Sequence, residues 1–346
     1  MDTDPEVSLS EHCRSSDLPH LRPLYMEQRM AHDIIVKHLD AHLEGKNPRQ
    51  ILMIVIGQGG TGKSALLNAI TTPFVYRDIG QLFAKTATSG VAVSLIGGST
   101  LHSWASLPVK RLPSGDGWVA RSRKEVRARR EANVGTPLWL AIDEMGMLTK
   151  DTLTYLSQVV GTVRTGDGRA CSTVPVGGLN VLLIGDFHQF PPVGNANSSL
   201  YSSKNPRLNS SIRENLFNQF DTVVELVQQK RITDLQWFEI LQNARTGDCT
   251  PQNLDEIHRL ILTNPLCNIP NFLTTPWDEA ILVTPRNCVQ EMWNEAKLRE
   301  HCLHTGHVLY VVSAEDSIGK DRRKLSTAER LTLAKMDEDV TEHLEH

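Results

Sequence analysis

Apolar residues along the chain fall into two kinds of run. Brief, nearly unbroken stretches recur at 51–56 (ILMIVI), 83–88 (FAKTAT), 138–143 (LWLAID), 180–186 (NVLLIGD), 222–227 (TVVELV), 280–285 (AILVTP) and 307–312 (HVLYVV). Each is too short for a helix, and ILMIVI is apolar on both alternating faces, the pattern of a strand covered on both sides. Between them lie segments with roughly helical spacing. The first carries Met26, Met30, Ile34 and Leu39 within YMEQRMAHDIIVKHLDAHL; ALLNAI, MLTKDTLTYLSQVV and DLQWFEILQNAR follow. Strands alternating with helices predict an α/β fold built on a parallel sheet. Residues 1–22 are polar and aperiodic and are expected to be disordered. The longest polar, turn-rich run, NANSSLYSSKNPRLNSS, marks a domain boundary near 195–220, giving domains over 23–215 and 216–346. No internal repeat is apparent.

The length of 346 residues fits about two domains, each able to bury its own core. The 36 Lys and Arg against 40 Asp and Glu leave a formal charge of -4, which excludes a globally basic nucleic-acid coat. Any nucleic acid is held locally. No apolar run approaches the roughly 18 residues needed to cross a bilayer, so no membrane role is expected. The six cysteines are scattered without paired spacing, as in a reducing compartment. The start, MDTDPEVSLSEH, has acids where a presequence would have Arg or Lys. A cytoplasmic or, in a eukaryote, nuclear protein is expected, not a secreted one.

The chemistry concentrates after the first strand. Residues 57–64 read GQGGTGKS, a full G-x-x-x-x-G-K-S between a strand and a helix-compatible stretch. Gly57, Gly59, Gly60 and Gly62 permit the backbone angles that turn successive N–H groups, with that of Thr61, toward one point, and the helix start adds its positive end. Such a loop cradles nucleotide phosphates, with Lys63 on the β- and γ-phosphates and the Ser64 hydroxyl on Mg²⁺. No N-K-x-D guanine-reading motif occurs, which disfavours a GTPase. LWLAIDE ends a strand in adjacent acids: Asp143 suits Mg²⁺, held through water, and Glu144 suits a base that activates the attacking water. NVLLIGD leads into FHQFPPV, where Gln189 could report the γ-phosphate, or where the chain simply makes a proline-ended loop.

With these in place, the phosphate loop, TSGVAVSLIGGSTLHSW, LAIDEMGML, GGLNVLLIGDFHQFPPV and QQKRITDLQWFEILQNARTGD resemble the ordered motifs of the petite-integration-frequency DNA helicases. These are superfamily 1 enzymes that move 5′-to-3′, and the helicase part of Helitron-type elements is similar. The resemblance spans roughly residues 24–320. It implies an α/β, parallel-sheet, RecA-like P-loop NTPase domain followed by an incomplete second RecA-like domain. It also implies ATP and Mg²⁺ as cofactors, single-stranded DNA as partner, and roles in DNA repair, recombination and telomere maintenance. Gln28 matches the adenine-reading glutamine, Lys63 and Ser64 the phosphate and magnesium ligands, and Asp143 and Glu144 the Walker B pair. Gln189 matches the γ-phosphate sensor, and Arg231 an arginine reaching the nucleotide from the second domain. Thr100 and His102, with Leu101, match a segment tracking single-stranded DNA.

The family's T-x-H-K-S-Q-G-like and V-A-x-S-R-like segments do not occur before His346, so the second domain is expected to be incomplete. A competing reading is therefore an ATP- and DNA-binding remnant that does not unwind. A small-metabolite kinase shares the phosphate loop but lacks GGSTLHSW and GDFHQFPPV. Met145-Gly146-Met147 departs from the family's usual middle serine. Other features admit two readings each. RSRKEVRARRE (121–131) is a DNA-facing patch or a solvated helix face. Trp104 is a stacking platform or a core aromatic. His301, Cys302, His304 and His307 form a zinc-like cluster without a second ligand pair. Lone histidines such as His32 and His258 are expected on helix surfaces.

Overall fold

The computed structural model describes residues 23–107, 123–165, 174–192, 198–202 and 216–311, apart from positions 273, 276 and 279, together with 317, 318, 323, 324 and 326. The N-terminal segment 1–22, most of the polar run at 195–211, and most of the stretch after 311 lie outside these residues. The described residues form two compact units, one ending at Arg245 and the other beginning at Thr246.

The first unit opens with α1 (Met26–Leu43) and proceeds through β1 (Leu52–Gly57), α2 (Lys63–Tyr76), β2 (Phe83–Ala87), α3 (Gly90–Ile96), β3 (Ser99–Thr100) and α4 (Leu101–Trp104). After these come α5 (Arg123–Val134), β4 (Trp139–Asp143), α6 (Lys150–Thr165), β5 (Asn180–Gly185), β6 (Thr222–Leu226) and α7 (Leu235–Thr246). The six strands make one sheet in the order β3-β2-β4-β5-β1-β6, parallel throughout.

The unbroken apolar strands follow from a sheet buried on both faces. Leu52 and Ile54 of β1, Leu140 and Ile142 of β4, and Val181 and Leu183 of β5 pack on one side with Leu153, Leu156 and Val160 of α6. Their neighbours Met53, Val55, Trp139, Ala141, Leu182 and Ile184 pack on the other side with α1 and α2. Each strand thus sends alternate residues into two different cores.

Four sequence expectations change. The element α1 is present, but Met26 and Met30 are 72% and 53% exposed, while the buried face carries Gln28, Ala31, His32, Ile35 and Leu39. The apolar spacing identifies the helix but not its buried side, because Gln28, His32 and His38 occupy that side. His32 is accordingly buried rather than on a surface. Of the two readings of Trp104 the structure supports the core aromatic, 7% exposed. The polar run at 195–211 does not separate two sheets. It falls between β5 and β6 of one sheet, because Met53–Gly57 pair with Thr222–Leu226, and the first unit extends to Arg245.

The fourth difference lies in the second unit. Its described residues hold α8 (Pro251–Arg259), capped by Thr250, α9 (Asn287–Thr305), and a two-stranded antiparallel ladder of β7 (Ser317–Ile318) and β8 (Arg323–Lys324). The runs at 280–285 and 307–311 form no strand among the described residues, and Ile281, Val283, Val308 and Tyr310 are exposed. An apolar run becomes a strand only where a neighbouring ladder accepts its hydrogen bonds. Among the described residues no group of three or more His, Cys, Asp and Glu side chains could hold a metal, so His301, Cys302, His304 and His307 form no such cluster. No helix of the described residues is long and apolar enough to cross a membrane.

Candidate active site

The site lies along the carboxyl edge of the sheet, where β1, β4 and β5 deliver three loops. Gly57 ends β1, and Gly60 (φ 91°) and Gly62 (φ 82°) take the left-handed conformation that glycine adopts without strain. Gly62 caps α2, so the loop's N–H groups converge at a helix start. Close packing reinforces this shape. A Cβ at Gly62 would overlap the Gln28 amide, and one at Gly60 would overlap Gln229.

Gln28, buried on α1, donates its Nε2 to Thr61 O and Gly62 O, both at 3.2 Å, while its Oε1 accepts Tyr25 N. The residue matched to adenine reading therefore also fixes the far side of the phosphate loop. Thr61 closes the loop through Oγ1 to Gln58 O at 2.8 Å. Lys63 Nζ donates to Gly57 O at 2.7 Å and Gln58 O at 3.1 Å. Burial pushes its pKa down, opposed by the charges of Asp186 and Asp143 and reinforced by those of Arg231 and Arg245. A partly buried cation held by two loop carbonyls beside a helix start fits an anionic phosphate. Ser64 lies exposed in the first turn of α2.

Asp143 ends β4, and burial raises its pKa, partly offset by the Glu144 N–H on its Oδ1 at 2.9 Å. A carboxylate held partly out of water gains from a divalent cation. Asp143 with Ser64 fits the sparse protein ligation that Mg²⁺ takes beside phosphates. Glu144 has φ 56°, a left-handed value uncommon outside glycine, and its carbonyl is held by Thr88 Oγ1 at 3.1 Å. Its carboxylate Oε2 accepts Ser89 Oγ at 2.6 Å, which fixes the direction of a base. Gly146 fits here because a Cβ would come within 2.7 Å of Asp186 O. The missing serine is thus a close approach between the acid-pair loop and the sensor loop.

Gln189 lies exposed in an open recess of about 670 Å³ lined also by Glu144, Gly146, Met147, His188, Phe190 and Pro191. Arg231 follows β6 and belongs to the same compact unit as the phosphate loop, not to a second domain. Its backbone N–H donates to Gln229 Oε1 at 2.6 Å, and Gln229 Nε2 in turn donates to Gly59 O at 2.6 Å. The Lys230 N–H reaches Gly60 O at 3.0 Å.

Thr100 and His102 stand apart from the phosphate loop on the same edge. Thr100 pairs in register with Ala87, and Ala87 with Asp143, so Thr100 lies two strands, about 10 Å, from the acid pair. The Thr100 hydroxyl caps α4 by accepting Ser103 N at 3.2 Å, and His102 is exposed on that helix. Sequence reasoning did not pick out Gln229, Gln242, Asp186 or Arg245. Only Asp186 carried a local signal, an acid ending a buried strand as Asp143 does.

Gly62→Ala places a left-handed alanine in the loop, worth about 1–2 kcal/mol, and displaces the Gln28 amide. The Kd of a fluorescent ATP analogue is expected to rise about tenfold or more. Titration of the analogue checks this, and an unchanged Kd would show the loop to be indifferent to this glycine.

Comparison with known proteins adds an independent line. The family model described as PIF1-like helicase matches residues 24–250. The chain is similar to the ATP-dependent DNA helicase RRM3 of Saccharomyces cerevisiae, at 30% identity over 180 residues, covering 49% of this chain and 21% of that protein. It is also similar to the ATP-dependent DNA helicase PIF1 of Xenopus laevis, at 30% identity over 274 residues, covering 76% of this chain and 36% of that protein. Among solved structures, the Pif1 helicase from Candida albicans matches with a TM-score of 0.55 and 24% identity, over 86% of this chain and 57% of that one. Pif1 from Bacteroides, solved in complex with ADP-AlF3 and ssDNA, matches with a TM-score of 0.54 and 21% identity, over 87% and 62%. At these identities the structural likeness concerns the fold. The chain spans about a fifth to just over a third of the length of these two curated relatives.

Proposed function

Because the chain belongs to the PIF1-like helicase family, we propose that it carries the ATPase motor of a DNA helicase, coupling Mg-ATP hydrolysis to movement along single-stranded DNA. The observation that carries this reading is the convergence at one sheet edge of Lys63, Asp143, Glu144, Gln189 and Arg231, with Thr100 and His102 on the same edge. Relatives named ATP-dependent DNA helicases support it.

In this reading the loop N–H groups and Lys63 hold the β- and γ-phosphates. Asp143 and Ser64 would hold Mg²⁺, which supplies charge neutralisation at the phosphates. Glu144, aimed by Ser89, takes a proton from the attacking water, and Gln189 contacts the γ-phosphate from the sensor loop. Arg231 adds positive charge beside Gly59. Gln28 reads adenine at the other side of the loop. Thr100 and His102 contact the DNA strand. Residues from 246 onward belong to a second RecA-like domain, movement runs 5′-to-3′, and the cellular roles are repair, recombination and telomere maintenance in the nucleus of a eukaryote.

ATP hydrolysis by the purified chain should rise severalfold on adding single-stranded DNA, and a forked duplex should be unwound. Hydrolysis indifferent to DNA would overturn the motor reading. ATP and DNA binding without strand displacement would instead support a module that grips DNA but does not unwind it.

Helix α5 extends the proposed DNA side. Arg130 donates to Ala105 O and Ser106 O, and Asn133 to Trp104 O, docking α5 against the end of α4. Lys124, Arg127 and Arg129 remain exposed. Replacing these three with Gln should flatten the dependence of log K on log salt for single-stranded DNA by about 0.7 per lost phosphate contact. An unchanged slope in a salt titration would make α5 a solvated face.

A further inference from the structure

Among the described residues of the first unit, the most deeply placed ion pair is not one assigned above. Asp186, the residue after β5, is 2% exposed. Arg245, in the last turn of α7, donates to both of its oxygens, Nη1 to Oδ2 at 2.7 Å and Nη2 to Oδ1 at 2.5 Å. Burial pushes the Asp186 pKa up, but the Arg245 hydrogen bonds, the His188 N–H and the charges of Arg245 and Lys63 outweigh it and hold the pKa below the usual carboxylate value. The carboxylate is therefore ionised and oriented from two sides.

We propose that Arg245 is a positioning residue for ATP hydrolysis, setting through Asp186 the loop that carries Gln189. The inference rests on the ATPase reading above and deepens it. Two hydrogen bonds connect the pair to the sensor. Asp186 Oδ1, gripped by Arg245, accepts the His188 N–H at 3.0 Å, and the Asp186 carbonyl accepts the Gln189 N–H at 3.3 Å. The same carbonyl is the surface against which Gly146 packs. Rotation of the carboxylate would therefore shift Gln189 relative to Glu144 across their shared recess.

The helix that supplies Arg245 is tied to the other nucleotide-facing loop as well. Gln242, one turn earlier on the same face, donates Nε2 to Gln58 Oε1 at 2.7 Å. Gln58 lies inside the phosphate loop and its carbonyl accepts Lys63 Nζ. Helix α7 thus bridges the loop that holds phosphate and the loop that senses it, and of its residues only Ile240 is an apolar side chain buried in the core. Trp237 and Phe238 are half-buried, and the polar ties add to what places the helix. A guanidinium suits the task because its planar fork engages both carboxylate oxygens, whereas an ammonium offers a point charge.

The test uses the full chain with Mg-ATP and saturating single-stranded DNA. Arg245→Ala is expected to lower kcat about 10- to 100-fold, as for a displaced catalytic group, with KM for ATP within about threefold. Arg245→Lys should restore folding and charge but recover kcat only in part. In a Gln189→Ala background, either substitution at 245 should cost less than about threefold more, since its effect passes through Gln189. A raised KM with kcat unchanged would make Arg245 a phosphate ligand and overturn the proposal. So would a full multiplicative loss in the Gln189→Ala background, or complete recovery in Arg245→Lys. If Arg245→Ala does not fold, Arg245→Lys alone and with Gln189→Ala carries the same comparison. Absence of Lys63-dependent hydrolysis in the parent chain would sink the ATPase reading itself, whereas parent activity with unaffected 245 variants would sink only this inference.

Discussion

Lys63→Ala is expected to cut ATP hydrolysis by about 10² to 10³ or more, the cost of removing one preorganised donor to transition-state charge. In the structure the ammonium rests on Gly57 O and Gln58 O, so those loop carbonyls hold the cation where phosphate oxygens would meet it. Removing it also removes a charge that the fold keeps partly out of water, since burial lowers the Lys63 pKa despite Asp186 and Asp143 nearby. A lysine with a folded pKa below its ordinary value is a burden on stability while it stays protonated, relieved only as pH rises through the folded value. Lys63→Ala should therefore leave the thermal midpoint unchanged or slightly raised at neutral pH while activity disappears. Phosphate release and a melting curve on the same preparation check both halves. Hydrolysis that survives the substitution would mark a contaminant or a different site, and loss of activity together with a collapsed midpoint would mean that Lys63 serves the fold.

That expectation could be formed from sequence because everything it needs is local. A strand, a glycine-rich turn and a helix start are contiguous in residues 51–70, and two-sided burial wrote β1, β4 and β5 as unbroken apolar runs. What escaped the sequence was non-local. The buried face of α1 was misjudged because Gln28 and His32 lie on it, and Gln28 is there to bind Thr61 O and Gly62 O across 33 and 34 residues. The chain between β5 and β6 looked like a domain boundary because a polar excursion and an interdomain linker have the same composition. Only pairing with β1 distinguishes them. Arg245 and Asp186 are 59 residues apart, and neither announces the other. The runs at 280–285 and 307–311 failed in the opposite direction, because β-rich composition does not supply the neighbouring strand that such a segment needs.

Glu144→Gln separates chemistry from binding more cleanly than any other single change in the site. The substitution keeps the shape of the side chain, and an amide oxygen can still accept the Ser89 hydroxyl that now holds Oε2 at 2.6 Å. The carbonyl contact from Thr88 and the left-handed backbone at 144 are untouched. What is lost is the ability to take a proton from water, worth about 10² to 10⁴ in rate. The neighbouring group responds in a definite direction. Burial is the main reason the Asp143 pKa is raised, and the charge of Glu144 adds to it. Neutralising residue 144 removes that like-charge repulsion, so Asp143 ionises more readily and cation binding beside the phosphates should not weaken. The expected result is a kcat lower by at least about a hundredfold, with the Kd of a fluorescent ATP analogue within about threefold of the parent, measured in the presence of Mg²⁺. Retained turnover would remove Glu144 from the role of base. A large rise in Kd with residual turnover per bound ATP unchanged would make it a binding residue instead. Ser89→Ala supplies the intermediate case: the carboxylate is present but no longer aimed, so kcat should fall by less than in Glu144→Gln, and the two substitutions together should cost little more than Glu144→Gln alone.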